Sequence, residues 1–125
     1  MNNLISNRVA SIIYALTMAV FGVNHFLKAD AMGGMVPSYM PGDGSIWVYI
    51  TGACLVAAAL AIILNKYAKL AAGLLAVLLI IFVFTMHLPA AMSDNEVEKT
   101  MGIISLLKDV GLAMGAIMIA NNSKN

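Results

Sequence analysis

Charge is scarce in this chain. Of its 125 residues only 10% are Asp, Glu, Lys or Arg, 62% are hydrophobic, and the formal net charge is +1. Soluble domains run closer to a quarter charged and half apolar, and a chain this short cannot hide so much apolar surface in one core. With a mean hydropathy of +0.91, the composition points to a membrane. No basic cluster interleaved with aromatics is present, which argues against a nucleic-acid partner. Cysteine is nearly absent too. Cys54 stands alone, so an intramolecular disulfide, a CxxC redox pair and a four-cysteine metal site are all excluded. Within an apolar run it reads as a small hydrophobe. No GxGxxG fingerprint offers a dinucleotide site. The ten methionines form no tight Met-x-Met group and read as flexible core filler.

What the chain does have is long uncharged runs. A hydrocarbon core of about 30 Å takes roughly 20 helical residues, and four segments reach that length: Val9–Leu27, Ile46–Leu64, Ala68–His87 and Met101–Ala120. The last helix is expected to start earlier, near residue 95, because "SDNE" at Ser93–Glu96 has the capping-box form with Ser93 as cap. The expectation is one all-α domain over 1–125, an integral membrane four-helix bundle. "KADAM" resembles a signal-cleavage pattern, but the preceding apolar run exceeds the usual h-region of about 7–15 residues, so the first helix is read as retained.

Loop charges suggest an orientation. Arg8, Lys66, Lys69 and Lys124 fall on one side; Lys28 and Lys99 fall on the other, together with Asp30, Asp43, Asp94, Glu96 and Glu98. The excess of Lys and Arg marks the cytoplasmic side, which predicts both termini there. The "NKYAK" turn makes the second and third helices antiparallel neighbours. Residues 29–45 read as an outer lid, since Gly33, Gly34, Pro37, Pro41, Gly42 and Gly44 forbid a helix through the middle. Met32, Met35, Val36, Tyr39 and Met40 are too apolar for a solvated linker. Trp47 and Tyr49 fit an aromatic belt at the same level. Small residues at packing intervals, Ala53/Ala57/Ala61, Ala68/Ala72/Ala76 and Gly111/Gly115, would allow close helix contact.

The polar residues converge in depth. At about 1.5 Å per residue, Asn24 and His25 lie roughly 5 Å below the outer boundary, and Lys108 and Asp109 roughly 10 Å below it. His87 ends the third helix at a similar level. A charge at such depth costs at least about 2.5–3.5 kcal/mol on insertion scales if left unpaired. Partners must come from Asn24, His25, Tyr39, His87 or a bound ligand. Lys108 can snorkel along its stem; Asp109 is too short. Neighbouring helical residues point about 100° apart, so Lys108 and Asp109 are not expected to share one partner. Bland readings stand beside these: interfacial histidines, and a Lys108–Asp109 pair that only locks the last helix in place. A haem or metal held by His25 and His87 is a further reading, with no other ligand evident.

Three stretches, "FGVNHF" closing the first helix, "MVPSYMP…WVYITG" leading into the second and "LLKDVGLAMGAIMIA" closing the chain, resemble the DoxX-like family of small membrane proteins, in order and spacing over nearly the whole length. The resemblance implies a four-helix bundle, mostly bacterial, some relatives being the small subunit of a thiosulfate:quinone oxidoreductase and others tied to oxidative-stress complexes. The matching positions are His25, Pro37, Pro41, Gly52, Lys108 and Asp109. One departs: family members often carry an acid three residues after the glycine opening the second helix, and here Leu55 follows Gly52.

Together these give two expectations from different classes. One is a redox-associated subunit in a bacterial cytoplasmic membrane, binding a quinone-like or other apolar ligand in an outer-leaflet pocket formed by Asn24, His25, Tyr39, His87, Lys108 and Asp109. His25 or His87 would donate to a carbonyl, Asp109 would orient that histidine or exchange a proton with it, and Lys108 would stabilise negative charge. Its partners would be lipid, another membrane or periplasmic oxidoreductase subunit, or further copies of itself. The other is a non-catalytic accessory, assembly or lipid-binding module whose polar cluster is internal glue. Independent catalysis is not expected.

Overall fold

A computed structural model describes residues 4–34 and 40–124. Its elements are α1 (Asn7–Leu27), α2 (Ala29–Gly33), α3 (Gly44–Leu64), α4 (Ala68–Phe82), a π-helical turn (Val83–His87), α5 (Leu88–Ala91) and α6 (Glu96–Asn121). Four continuous helical spans, Asn7–Leu27, Gly44–Leu64, Ala68–Ala91 and Glu96–Asn121, are long and apolar enough to cross a membrane. The chain is an all-α integral membrane four-helix bundle. α1 packs along α3, α4 along α6 and α3 beside α4, while the α1–α6 face is the sparsest of the four.

The core consists largely of alanine: Ala15, Ala59, Ala72, Ala113 and Ala116 are fully buried around Met18, Leu75 and Ile62. Small side chains let helix backbones approach, which is how apolar spans associate where lipid is as apolar as leucine. The tightest crossing is reciprocal. A Cβ on Gly22 of α1 would stand 2.9 Å from the Gly52 carbonyl oxygen of α3, and one on Gly52 the same distance from that of Gly22. This crossing sets the rotation of α3. Its inward face is Gly52, Leu55, Ala59 and Ile62, whereas Ala53 and Ala57 are exposed; the expected Ala53/Ala57/Ala61 stripe is therefore one position out of phase. The Ala68/Ala72/Ala76 stripe of α4 is buried as expected.

The ends of the helices also differ from the sequence expectation. α6 is capped by Asn95, not Ser93: the Asn95 side chain accepts from the Glu98 N–H at 3.0 Å. Ser93 instead relays, its Oγ accepting from the Asn95 N–H and donating to Glu98 Oε2. The reciprocal capping pattern is kept, but two residues later and through a serine hydroxyl. The third span runs on to Ala91 instead of ending at His87. Pro89 has no N–H for the carbonyl four residues back and its ring crowds it. The helix adjusts with one wider turn, in which the Leu88 N–H reaches the Val83 carbonyl, while the Thr85 hydroxyl donates to the Ile81 carbonyl at 2.7 Å.

At the basic end, α3 closes with Asn65 in the left-handed region (φ 57°), the Lys66 N–H returning to the Ala61 carbonyl at 3.0 Å. This is a Schellman closure with asparagine in the usual glycine place. Arg8 completes it, donating to the Ile62 carbonyl at 2.6 Å and to that of Ile63. A cation there meets the negative end of the helix dipole. Arg8→Ala is expected to cost about 1.5 kcal/mol, the low end for a hydrogen bond to a charged group. Faster amide exchange in the last turn of α3 than in α6 would reveal it.

At the acidic end, α2 lies against the start of α3. Ala29 is buried, and a Cβ on Gly33 would stand 2.8 Å from the Ser45 nitrogen. The lid expected over 29–45 thus begins with a helical turn, and Trp47 Nε1 donates to the Pro41 carbonyl at 2.7 Å to fix its far end. Met35, Val36, Pro37 and Tyr39 lie outside the described residues.

Candidate functional site

Asp109 is the only charged residue buried among the described residues, 4% exposed. Its two carboxylate oxygens have different partners. Oδ2 accepts from His87 Nε2 at 2.8 Å, and Oδ1 lies 3.6 Å from Lys108 Nζ. The side chain of Lys108 is half exposed and its ammonium sits 5.2 Å from the centre of the Phe21 ring on α1, within reach of the ring's negative face. Lys108 and Asp109 thus pair with each other, one of the two readings the sequence left open. The long stem of Lys108 crosses the angle that separates neighbouring helical positions.

Local geometry explains why His87 and Asp109 meet. α5 and α6 touch where Gly102 faces Ala90 and Ala91. Asp109 is two turns further along the same face of α6, and His87 is one turn back along the third span. Side chains tilt toward the N-terminus of their own helix, so on antiparallel helices these two lean toward each other and close the gap. Burial of Asp109 then makes the pair all but obligatory, since a charge alone in that setting is costly.

The other candidates lie elsewhere. His25 turns toward α3, where its Cβ abuts Gly52, and its Nδ1 is hydrogen-bonded to the Phe21 carbonyl at 2.6 Å. Asn24 faces outward, lining a shallow hollow with Leu16, Val20, Val23 and Leu27. Tyr39 lies outside the described residues. Of the five described residues in the expected pocket, His87, Lys108 and Asp109 come together with Phe21 as an apolar wall, while His25 and Asn24 lie apart from them. Phe21 was not singled out by sequence, and neither was the cross-bundle bond in which Tyr14 donates its hydroxyl to the Leu112 carbonyl of α6. Nothing distinguishes either residue from other aromatics until α1 is placed beside α6.

The expected donation from His25 or His87 to a ligand carbonyl competes with bonds that both rings already make. In a neutral imidazole one nitrogen carries hydrogen and the other a lone pair. Carbonyl and carboxylate oxygens only accept, so the hydrogen of His25 is committed to Phe21 and that of His87 to Asp109. What each neutral ring has left is an acceptor. This arrangement also suits a metal-bound histidine, but no group of three His, Cys, Asp or Glu side chains converges among the described residues.

A separate groove of about 460 Å³ runs between α3 and α4 along Cys54, Ala57, Tyr67, Leu70, Leu74 and Ile81. Its lining is almost wholly apolar and holds none of the candidate residues.

The fold and site thus define a class: a small four-helix integral membrane protein with a buried carboxylate held between a histidine and a half-exposed lysine. Residues 14–123 match a family described as a domain of unknown function, DUF8561, and the chain belongs to that family. No curated protein and no solved structure matches it.

Proposed function

We propose that this protein is a DoxX-like, redox-associated membrane subunit that binds a quinone-like, lipid-soluble ligand beside His87, Lys108 and Asp109. One observation carries the reading: within a span long and apolar enough to cross a membrane, a lysine ammonium is half exposed at the sparsely packed α1–α6 face, with its countercharge Asp109 buried behind it. An apolar wall with a few convergent polar groups suits such a ligand. Lys108 would donate to a ligand oxygen, and Phe21 would flank the ring. Asp109 would orient His87 and balance the charge of Lys108. The acidic end would face outward and the basic end, with Arg8, Lys66, Lys69 and Lys124, the cytoplasm of a bacterial cell. Electrons would come from or go to a partner membrane or periplasmic oxidoreductase subunit.

A second reading is favoured by a specific observation: no buried side-chain nitrogen or oxygen lacks a hydrogen-bond partner among the described residues. A cluster satisfied from within can serve as glue in an accessory or lipid-binding module. Extraction of gently purified protein, followed by mass spectrometry of its lipid-soluble contents, separates the two. A stoichiometric quinone-like molecule, lost in Lys108→Met while the bundle stays folded, is the expected result. Bulk phospholipid alone in both proteins would transfer the case to the accessory module.

A further inference from the structure

We infer that the His87–Lys108 site selects the hydroxyl-bearing, reduced form of its ligand, a quinol in preference to the quinone. The inference rests on the ligand site proposed above and adds its hydrogen-bond polarity.

The argument starts from Asp109. With Lys108 as countercharge 3.6 Å from Oδ1, the carboxylate is an acceptor at both oxygens. His87 Nε2, 2.8 Å from Oδ2, therefore carries the ring hydrogen, and Nδ1 of the neutral ring carries a lone pair. That nitrogen makes no hydrogen bond to a described residue, and the side chain is 17% exposed, so it is not sealed off. His25, one turn beyond Phe21 on α1, has the opposite tautomer and the same polarity: Nδ1–H is spent on the Phe21 carbonyl, leaving Nε2 as the acceptor. At the site itself His87 thus offers the lone pair, and Lys108 is the donor.

A quinone brings two carbonyl oxygens and no donor. One can accept from Lys108, but at His87 Nδ1 it sets lone pair against lone pair, leaving both unpaired away from water. A quinol offers an O–H that donates to Nδ1, while its oxygens still accept from Lys108. A site built to pair with a hydroxyl discriminates against the analogue that lacks it. One hydrogen bond of ordinary worth corresponds to about tenfold in affinity.

The test uses the full chain in lipid nanodiscs under anaerobic conditions, titrated separately with decylubiquinol and decylubiquinone. The expected result is about tenfold tighter binding of the quinol. In Asp109→Asn the side-chain shape is kept, but the amide can donate or accept and no longer dictates the tautomer, so the ratio is expected to fall toward one with both forms still bound. Nitrogen NMR of labelled imidazoles supplies a readout that a merely structural role would not move: His87 protonated at Nε2 and His25 at Nδ1. Equal affinities in the unaltered protein, tighter quinone binding, or the opposite tautomer at His87 would overturn the inference and leave the site standing. A quinol preference that survives Asp109→Asn would overturn it as well. Binding of neither form would overturn the site and the inference together.

Discussion

Loss of the imidazole in His87→Ala is expected to destabilise the bundle by about 3 kcal/mol. Asp109 is 4% exposed, and without His87 one of its oxygens loses its partner. Breaking a buried pair from one side typically costs about 3–5 kcal/mol because a charge is left behind. The low end applies here, since Lys108 still stands 3.6 Å from the other oxygen. The converse change, Asp109→Ala, leaves a neutral N–H unpaired and frees Lys108 to extend along its stem, so it should cost less, about 1–3 kcal/mol. Replacing both partners, His87→Phe with Asp109→Leu, removes the orphaned groups altogether and should recover most of the loss. Reversible unfolding of the three proteins in mixed micelles measures this directly. A His87→Ala protein as stable as the parent would mean that the pair carries no structural weight. A double variant as unstable as His87→Ala would assign the loss to packing instead of charge.

The spans were legible because length and absence of charge decide them: a run of about 20 apolar residues has few other uses. The depth of the polar breaks was legible for the same reason, and it brought His87, Lys108 and Asp109 to neighbouring levels before any packing was known. Rotation about each helix axis was not legible. α3 is apolar nearly all round, so no amphipathic stripe marks its inner face. Its phase comes from the Gly22–Gly52 contact, which only the paired helices define. The same crossing turns His25 inward and leaves Asn24, one residue earlier, on the outer surface. Tautomers lay further out of reach, because they depend on which oxygen stands opposite each ring nitrogen. The extension through Pro89 needed the whole span, since a proline normally reads as a helix end.

Gly102→Leu is the steric counterpart of the His87 change and should be comparably damaging. A Cβ at Gly102 would stand 2.5 Å from the Ala91 nitrogen, 2.7 Å from the Ala90 carbonyl carbon and 2.8 Å from the Ala90 Cβ. Backbone atoms cannot swing aside as a side-chain tip can, so α5 and α6 must part. Overpacking of this kind costs about 1–3 kcal/mol, occasionally more, and the contact with main chain argues for the upper end. The consequence should reach the site. Gly102 and Asp109 share one face of α6, two turns apart, so a wedge at Gly102 draws Asp109 away from His87. Gly73→Ala and Gly111→Ala are the controls, because a Cβ at either meets nothing within 4 Å. Both should be neutral or gain up to about 1 kcal/mol from helix propensity. Thermal unfolding in one detergent orders the three, and the His87 ring-nitrogen signals reveal whether the carboxylate bond survives. If Gly102→Leu destabilised the bundle but left the His87 tautomer unchanged, the α5–α6 contact would hold the helices together without positioning the pair. If both were lost together, the same glycine that closes the acidic end would also set the distance between His87 and Asp109.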